Sequence, residues 1–255
     1  FYNNYSKELV DLIANHSRED IAAAAQLHLE NLLKKLVSHI YKKYNLNDMP
    51  IMMAGGVFAN VKVNQVIKEL DVVKDAFIQP QMSDGGLCLG AAAAAQHFQG
   101  IKIKSLKNVY LGPKPGKKEK LSSLINNKPL VMRELDDPTE KIISHLIENK
   151  VIGLVRGRME FGPRALCNRS IIYKTSDRSA NDWLNKRMNR TEFMPFAPVM
   201  TNNQAEKSFP KFKNNDITLK FMTATLDANH EFCERCPAVS HIDKTARPQV
   251  IKKEE

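Results

Sequence analysis

The chain has 255 residues, of which 43% are hydrophobic and 26% charged, and carries a formal net charge of +10. Its length accommodates one large or two ordinary domains, its composition excludes disordered and fibrous classes, and its longest apolar stretch, Gly86 to Ala95, is too short and too rich in alanine to span a bilayer. The basic excess favours an anionic partner (nucleic acid, lipid headgroups or a phosphorylated metabolite), and Cys88, Cys167, Cys233 and Cys236, spaced without a disulfide framework, read as reduced thiols of a cytoplasmic protein.

The sequence opens on Phe1 inside a helical pattern and reads as part of a longer protein. Ser17, with Asp20 three residues on, forms a capping-box signal for a long helix from Ile21 to about Tyr44. Leu29, Leu32, Leu33, Leu36, Val37 and Ile40 recur there at helical spacing and predict one buried face. After a loop at Asn45–Asp48, Ile51 to Ala54 is a buried strand running into Gly55-Gly56, with a helix from about Asn60 to Leu70. A second strand, Ala76 to Ile78, ends at Pro80, and Ser83-Asp84-Gly85-Gly86 opens an alanine-rich helix through about Gln96. Strand, glycine loop and helix repeated twice predict α/β architecture with ligands at the carboxyl ends of the strands. Residues 108–118, with two prolines, two glycines and a lysine run, read as a linker between domains at 1–107 and 119–255. Beyond it the pattern predicts a helix (Lys120 to Ile125), a strand (Val131 to Leu135), a helix (Asp137 to Asn149), a strand (Val151 to Val155), a helix (Ser179 to Met188) and, from Phe221 onward, strands and loops.

The strongest chemical signal follows the strand at Val155. Arg156, Arg158, Arg164 and Arg169, with Glu160 between them, fall within fourteen residues, and residues 151–200 hold nine Lys/Arg against four Asp/Glu. Guanidinium forks match phosphate and carboxylate oxygens, and four of them beside one buried strand would repel one another without a polyanion. The interleaved Phe161, Gly162, Pro163 and Leu166 imply a shaped, partly buried wall rather than a solvated loop. Glu160 is expected to partner one arginine and fix its fork. Arg190, ahead of the rigid turn Phe193-Met194-Pro195-Phe196-Ala197-Pro198, would line the same pocket.

Weaker signals have bland readings, which taken alone outweigh the functional ones at Gly55-Gly56 and at Asp84. Gly55-Gly56 preceding Asn60 can let backbone amides approach an anion at a helix N-terminus, or can be a tight turn. Asp84 can be a helix cap or a metal ligand. His241, Asp243, Thr245 and Arg247 alternate along what reads as an extended segment, which puts them on one face of either an exposed sheet or a site. His230, Cys233, Cys236 and His241 superficially suggest zinc, but the spacing is imperfect and no second CxxC follows.

Taken together, Met159 to Leu166 with Asn168-Arg169-Ser170, then Pro195 to Pro198, then His241-x-Asp243-x-Thr245-Ala246-Arg247, resemble the carbamoyltransferases of nodulation-factor and antibiotic biosynthesis (the NodU/TobZ type). Gly55 to Asn60 and Ser83 to Gly85 resemble the end of that family's first domain. The resemblance implies an α/β protein: the C-terminal portion of an actin/hexokinase-like ATPase (ASKHA) domain followed by a YrdC-like domain. It implies that the YrdC-like domain makes carbamoyl-adenylate from carbamoyl phosphate and ATP, with Mg²⁺ on the phosphates, and that the first domain passes the carbamoyl group to a hydroxyl or amine of a small-molecule acceptor. Arg156, Arg158, Glu160, Arg164 and Arg169 would act at the reacting groups. Phe161, Gly162, Ser170, Arg190, His241, Asp243 and Arg247 would bind substrate, Gly55, Gly56 and Asn60 would contact nucleotide in the first domain, and Asp84 would be one ligand of a divalent metal, commonly iron. The histidine pair that completes the family's metal site has no counterpart in this sequence, so no working transfer site is expected from these residues alone. Cys167 and Lys244 stand where the family carries glycine, and Met188 and Met194 where many members carry a basic residue. A homodimer is compatible with the resemblance, and no membrane partner is expected. The rival readings are an RNA-binding module related to tRNA modification, disfavoured by the lack of an RNA-reading motif with exposed aromatics, and a degenerate, non-catalytic homologue.

Overall fold

The computed structural model describes residues 6–116, 129–190 and 196–252. The helix expected at Lys120 to Ile125, and Met194 with most of the turn before Phe196, lie outside the described residues. The architecture is mixed α/β, built from two-stranded sheets rather than one continuous one.

In the first half, α1 (Lys7–Ile13) leads into α2 (Arg18–Tyr44). The Ser17 hydroxyl caps α2 by accepting the Asp20 amide at 3.0 Å, and Asn45 ends it in the left-handed conformation at φ 57°. The leucine stripe divides: Val37 and Tyr41 are buried, Leu29 and Leu33 pack partly, and Leu32, Leu36 and Ile40 face outward. Strand β1 (Ile51–Met53) pairs in parallel with β2 (Ala76–Ile78), Ile51 opposite Ala76 and Met53 opposite Ile78. Between them runs α3 (Val61–Lys68), and after β2 a short 3₁₀ turn at Asp84–Gly86 feeds α4 (Leu87–Phe98). Gly86 is obligatory in that turn, because a Cβ there would sit 2.1 Å from the Gln81 carbonyl oxygen.

In the second half, α5 (Thr139–Ile147) precedes β3 (Ile152–Val155), which forms an antiparallel hairpin with β4 (Arg169–Ile172). Then come α6 (Ala180–Arg187), β5 (Val199–Thr201), α7 (Asn202–Ser208), α8 (Ile217–Lys220), β6 (Leu226–Asp227), α9 (His230–Arg235), β7 (Thr245–Ala246) and β8 (Gln249–Ile251). β5 pairs in parallel with β8, and β6 antiparallel with β7. Two expectations are corrected here. Val131 to Leu135 is exposed and belongs to no strand among the described residues. The end of the chain contains α9, a helix nucleated by the Asn229 side chain accepting the Phe232 amide at 2.9 Å, as well as strands and loops.

One apolar cluster fills the first half around Val63, Ile67 and Ile78, and another fills the second around Phe209, Leu219 and Leu226. A third, of Val109, Leu166, Phe221 and Met222 with Phe77 and Phe161 against it, lies where the halves meet. The stretch read as a linker is part of that junction: Val109 is 1% exposed, its carbonyl accepts the Phe161 amide at 2.6 Å, and Gly112 N donates to the Met159 carbonyl at 2.9 Å.

Candidate active site

The arginine-rich segment is the connection of the β3–β4 hairpin, and one carboxylate organises it. Glu160, 8% exposed, turns its Oε1 to three backbone amides: Leu166 at 2.7 Å, Asn168 at 2.7 Å and Arg169 at 3.1 Å. Burial raises its pKa, but the amide donors together outweigh burial and hold the carboxyl below its ordinary range. The expected ion pair with an arginine is thereby corrected, because the carboxylate closes the loop on its own backbone instead. Two arginines act the same way. Arg158 donates from Nε to the Tyr110 carbonyl at 3.1 Å and from Nη2 to that of Leu111 at 2.6 Å. Arg169 donates from Nη1 to the carbonyls of Arg156 and Asn168, both at 2.7 Å. These guanidinium groups tie the loop down.

The loop then crosses to the first half. Gly162 adopts φ 129°, a conformation L side chains rarely take, close over the Pro80 carbonyl. Beyond Pro163, Arg164 reaches the rim formed by the carboxyl ends of β1 and β2, with Nη2 3.5 Å from the Ala59 carbonyl and Nη1 3.9 Å from Met82 Sδ. The two glycine turns meet there, Gly55 N donating to the Met82 carbonyl at 2.7 Å. Asn60 acts as the cap of α3, accepting the Val63 amide at 3.1 Å while donating to Gln26 at 2.7 Å. Gly55 and Gly56 are exposed beside it, and Asp84 is exposed on the same rim.

Arg164 opens onto a cavity of about 880 Å³. Arg164, Lys174, Arg190 and Arg247 line it, together with Ser170 and Cys167, and no Asp or Glu among the described residues does. An apolar wall of Ile143, Leu146 and Ile147 from α5 stands with Phe196 and Val239 on the same cavity. Burial, reinforced by the nearby positive charge of Arg247, lowers the Arg164 pKa to about 10. Arg190 lies over the Phe196 ring, 5.7 Å from its centroid. Arg156, Arg158 and Arg169 do not line the cavity.

His241, Asp243 and Arg247 do come together, but through a turn rather than along a strand, which corrects the extended reading. Residues 241–244 double back, with His241 N donating to the Thr245 carbonyl at 2.8 Å and Lys244 N to that of His241 at 3.0 Å. Only Arg247 of the three reaches the cavity wall.

Residues 3–93 match the carbamoyltransferase N-terminus family model, and residues 143–255 match the carbamoyltransferase C-terminus model. The chain belongs to the carbamoyltransferase family. It is 35% identical over 92% of its length to an uncharacterised protein of Methanocaldococcus jannaschii, 27% identical over 98% to nodulation protein U of Azorhizobium caulinodans, and 29% identical over 92% to nodulation protein NolO of Bradyrhizobium diazoefficiens. It spans 44%, 42% and 43% of those relatives, respectively.

Against the carbamoyltransferase pattern, the two glycine replacements acquire a structural meaning. Cys167 and Lys244 both sit in left-handed backbone, at φ 71° and 61°, where glycine is unstrained and other residues are not. Cys167 also faces the cavity, its Sγ 3.4 Å from Gln249 Oε1, and burial raises its pKa, so the thiol is not an activated nucleophile. Sequence reading missed Lys174, which follows β4, and the apolar wall from α5. The positions Ile143, Leu146 and Ile147 at helical spacing mark an apolar face in sequence, but not that it lines a cavity, and Ile143 and Ile147 remain exposed there.

Proposed function

We propose that the cavity binds an adenine nucleotide and that this polypeptide is part of an ATP-dependent carbamoyltransferase, its second half a YrdC-like carbamoyl-adenylate-forming unit and its first half the end of an ASKHA-type transfer domain. The carrying observation is electrostatic: Arg164 is half-buried, and desolvation first and Arg247 second lower its pKa, at a cavity whose described lining has four cationic side chains and no acidic one. The lowering of the Arg164 pKa to about 10 means that its positive charge is disfavoured in these surroundings. A phosphate group reverses that sign. The volume suits a nucleotide, with the apolar α5 wall available to a base and the guanidinium groups to phosphates.

In this reading water first hydrolyses carbamoyl phosphate, breaking its bond to the phosphoryl group and releasing inorganic phosphate, and the resulting carbamate attacks the α-phosphorus of ATP. The new bond joins a carbamate oxygen to that phosphorus, the bond to the β-phosphate bridge breaks, and pyrophosphate leaves. The chain's own contribution is positioning and charge neutralisation by Arg164, Arg190 and Arg247, on a loop shaped by Glu160, Arg158 and Arg169. Mg²⁺ would sit on the phosphates. For a resident metal in the first half, Asp84 supplies one carboxylate, and no cluster of three His, Cys, Asp or Glu side chains able to hold an ion occurs among the described residues. These residues do not by themselves fit the group, and no step is derived through it. The acceptor is a small molecule with a hydroxyl or amine.

Arg164→Ala tests the reading. Calorimetry should show ATP and AMP binding weakened by well over an order of magnitude, at least about 1.4 kcal/mol, while the ligand-free variant unfolds at the same or a higher urea concentration, because the buried charge it removes is unfavourable there. Equal affinity for variant and wild type rejects the nucleotide site. Binding of RNA with steep salt dependence, indifferent to loss of any one arginine, would favour a nucleic-acid module instead.

A further inference from the structure

Lys174 belongs to the cavity wall but to none of the sequence motifs. It follows β4 by two residues and is half-buried. Its neighbours pin the backbone on both sides. The Tyr173 ring stands edge-on to Trp183 at 5.3 Å, the Thr175 carbonyl accepts the Ala238 amide at 3.0 Å, and the Thr175 hydroxyl donates to Cys236 Sγ at 3.3 Å. The carboxylate nearest in sequence, Asp177, is already occupied. Its Oδ2 accepts from the Tyr173 hydroxyl at 3.0 Å, and its Oδ1 from the Ser179 amide at 3.0 Å and the Ser179 hydroxyl at 2.6 Å. Among the described residues nothing accepts from the Lys174 ammonium, and no Asp or Glu lines the cavity beside it. An ammonium partly withdrawn from water is stabilised by an anion, and the described lining supplies none.

We infer that Lys174 binds the β- and γ-phosphates of ATP and so makes the cavity prefer a triphosphate to a monophosphate. The inference rests on the nucleotide reading of the cavity. The cation whose charge acts on Arg164 is Arg247, not Lys174, so positive charge stands at more than one place along the wall. Ser170, at the start of β4, marks the stretch between them. Its hydroxyl accepts the Cys167 amide at 2.9 Å, which leaves its own proton to donate into the cavity. Four residues of chain separate Ser170 from Lys174, at most about 13 Å at the rise of a strand. Anion recognition spread along a wall in this way suits a chain of phosphates better than a single one. The side-chain chemistry agrees: rigid guanidinium forks fix the phosphorus under attack, while a compact ammonium with three donors on a flexible stem follows a group that departs as pyrophosphate. Lys174 transfers no proton in this role and neutralises charge on the leaving group.

The experiment measures by calorimetry how the wild-type chain, Lys174→Met, Lys174→Arg and Lys186→Met bind ATP, AMP and inorganic pyrophosphate. Lys186 is exposed on α6, so its variant removes the same charge outside the cavity lining. Lys174→Met should weaken ATP and pyrophosphate binding about tenfold, the scale of one charge-assisted contact, and AMP binding by less than about twofold. Lys174→Arg should keep most of the affinity, and Lys186→Met should leave all three ligands near wild type. Melting temperatures should be alike throughout, since Lys174 makes no ion pair among the described residues. ATP binding untouched by Lys174→Met, an equal loss of AMP, a loss matched by Lys186→Met, or a Lys174→Arg variant as weak as Lys174→Met would each overturn the triphosphate role while leaving the nucleotide site standing. Absence of ATP binding by the wild type would instead remove the nucleotide reading itself, and this role with it.

Discussion

Glu160 shows how a residue picked out for chemistry can serve the site through architecture. Its carboxylate does for the loop what a bound anion does for a ring of amides: it gathers the N–H groups of Leu166, Asn168 and Arg169 around one oxygen. Glu160→Gln keeps an acceptor but loses the charge, and should lower the unfolding free energy by about 2 kcal/mol, the scale of hydrogen bonds to a charged group. A carboxyl held below its ordinary pKa contributes stability that is present above the unfolded-state value and lost as pH falls through the folded one. The gap between wild type and Glu160→Gln in urea melts should therefore be full at pH 7 and close as acid protonates Glu160, below the ordinary carboxylate range. A gap that persists unchanged at pH 3 rejects this account. The arginines divide by the same logic: Arg158 and Arg169 spend donors on carbonyls, while Arg164 and Arg247 face the cavity. Their number and clustering were legible in the sequence, their division of labour was not, because it depends on carbonyls at residues 110, 111 and 156 that only the folded loop brings within reach.

At the level of elements, the β3–β4 hairpin and the turn before β7 each carry a non-glycine residue in left-handed backbone, Cys167 and Lys244. A non-glycine residue in left-handed backbone costs about 1–2 kcal/mol, against about 0.5–1 kcal/mol that glycine loses through the greater freedom of the unfolded chain. The first effect wins, so Cys167→Gly and Lys244→Gly should each stabilise the protein by about 0.5–1 kcal/mol, measured as a raised urea midpoint with an unchanged m-value. Destabilisation by Cys167→Gly would mean that the contact of its sulfur with Gln249 outweighs the strain. Helix and strand positions were largely readable: α2 with its Ser17 cap, β1, β2 and the helices at α5 and α6 fall where periodicity and caps put them. Short elements were not. β6 and β7 have two residues each, and such pieces exist only because a partner strand is present, which no local pattern encodes.

The two halves are joined by an interface of polar groups around α3. Asn64, fully buried, donates to the carbonyls of Phe58 and Thr223, both at 2.7 Å. Gln65 donates to Asp227 at 2.8 Å and accepts from the Thr225 hydroxyl at 2.7 Å. Lys68 pairs with Asp216, and Lys211 reaches Glu69 at 2.5 Å. Gln65→Leu would leave the buried Thr225 hydroxyl with only its longer contact to the Val61 carbonyl at 3.3 Å and would remove the Gln65 donor to Asp227, and should cost about 1–2 kcal/mol. Trp183, the single tryptophan, reports on the second half. In that variant its fluorescence transition should separate from the helical circular-dichroism transition, dominated by α2, and coincident curves would show that other contacts carry the coupling. By itself the sequence determined that basic, forked side chains are concentrated on one loop after a strand and that two glycine turns follow short apolar strands, since composition, periodicity and spacing are local properties, while the motifs on them carried the resemblance to carbamoyltransferases. Tertiary structure alone decided that Arg164 bridges the loop to those glycine turns, that Arg247 arrives beside it from a turn whose Asp243 pairs with Lys62, and that no described carboxylate shares their cavity, because these are juxtapositions of segments about 80 to 185 residues apart, created by packing across α3 rather than by any pattern along the chain.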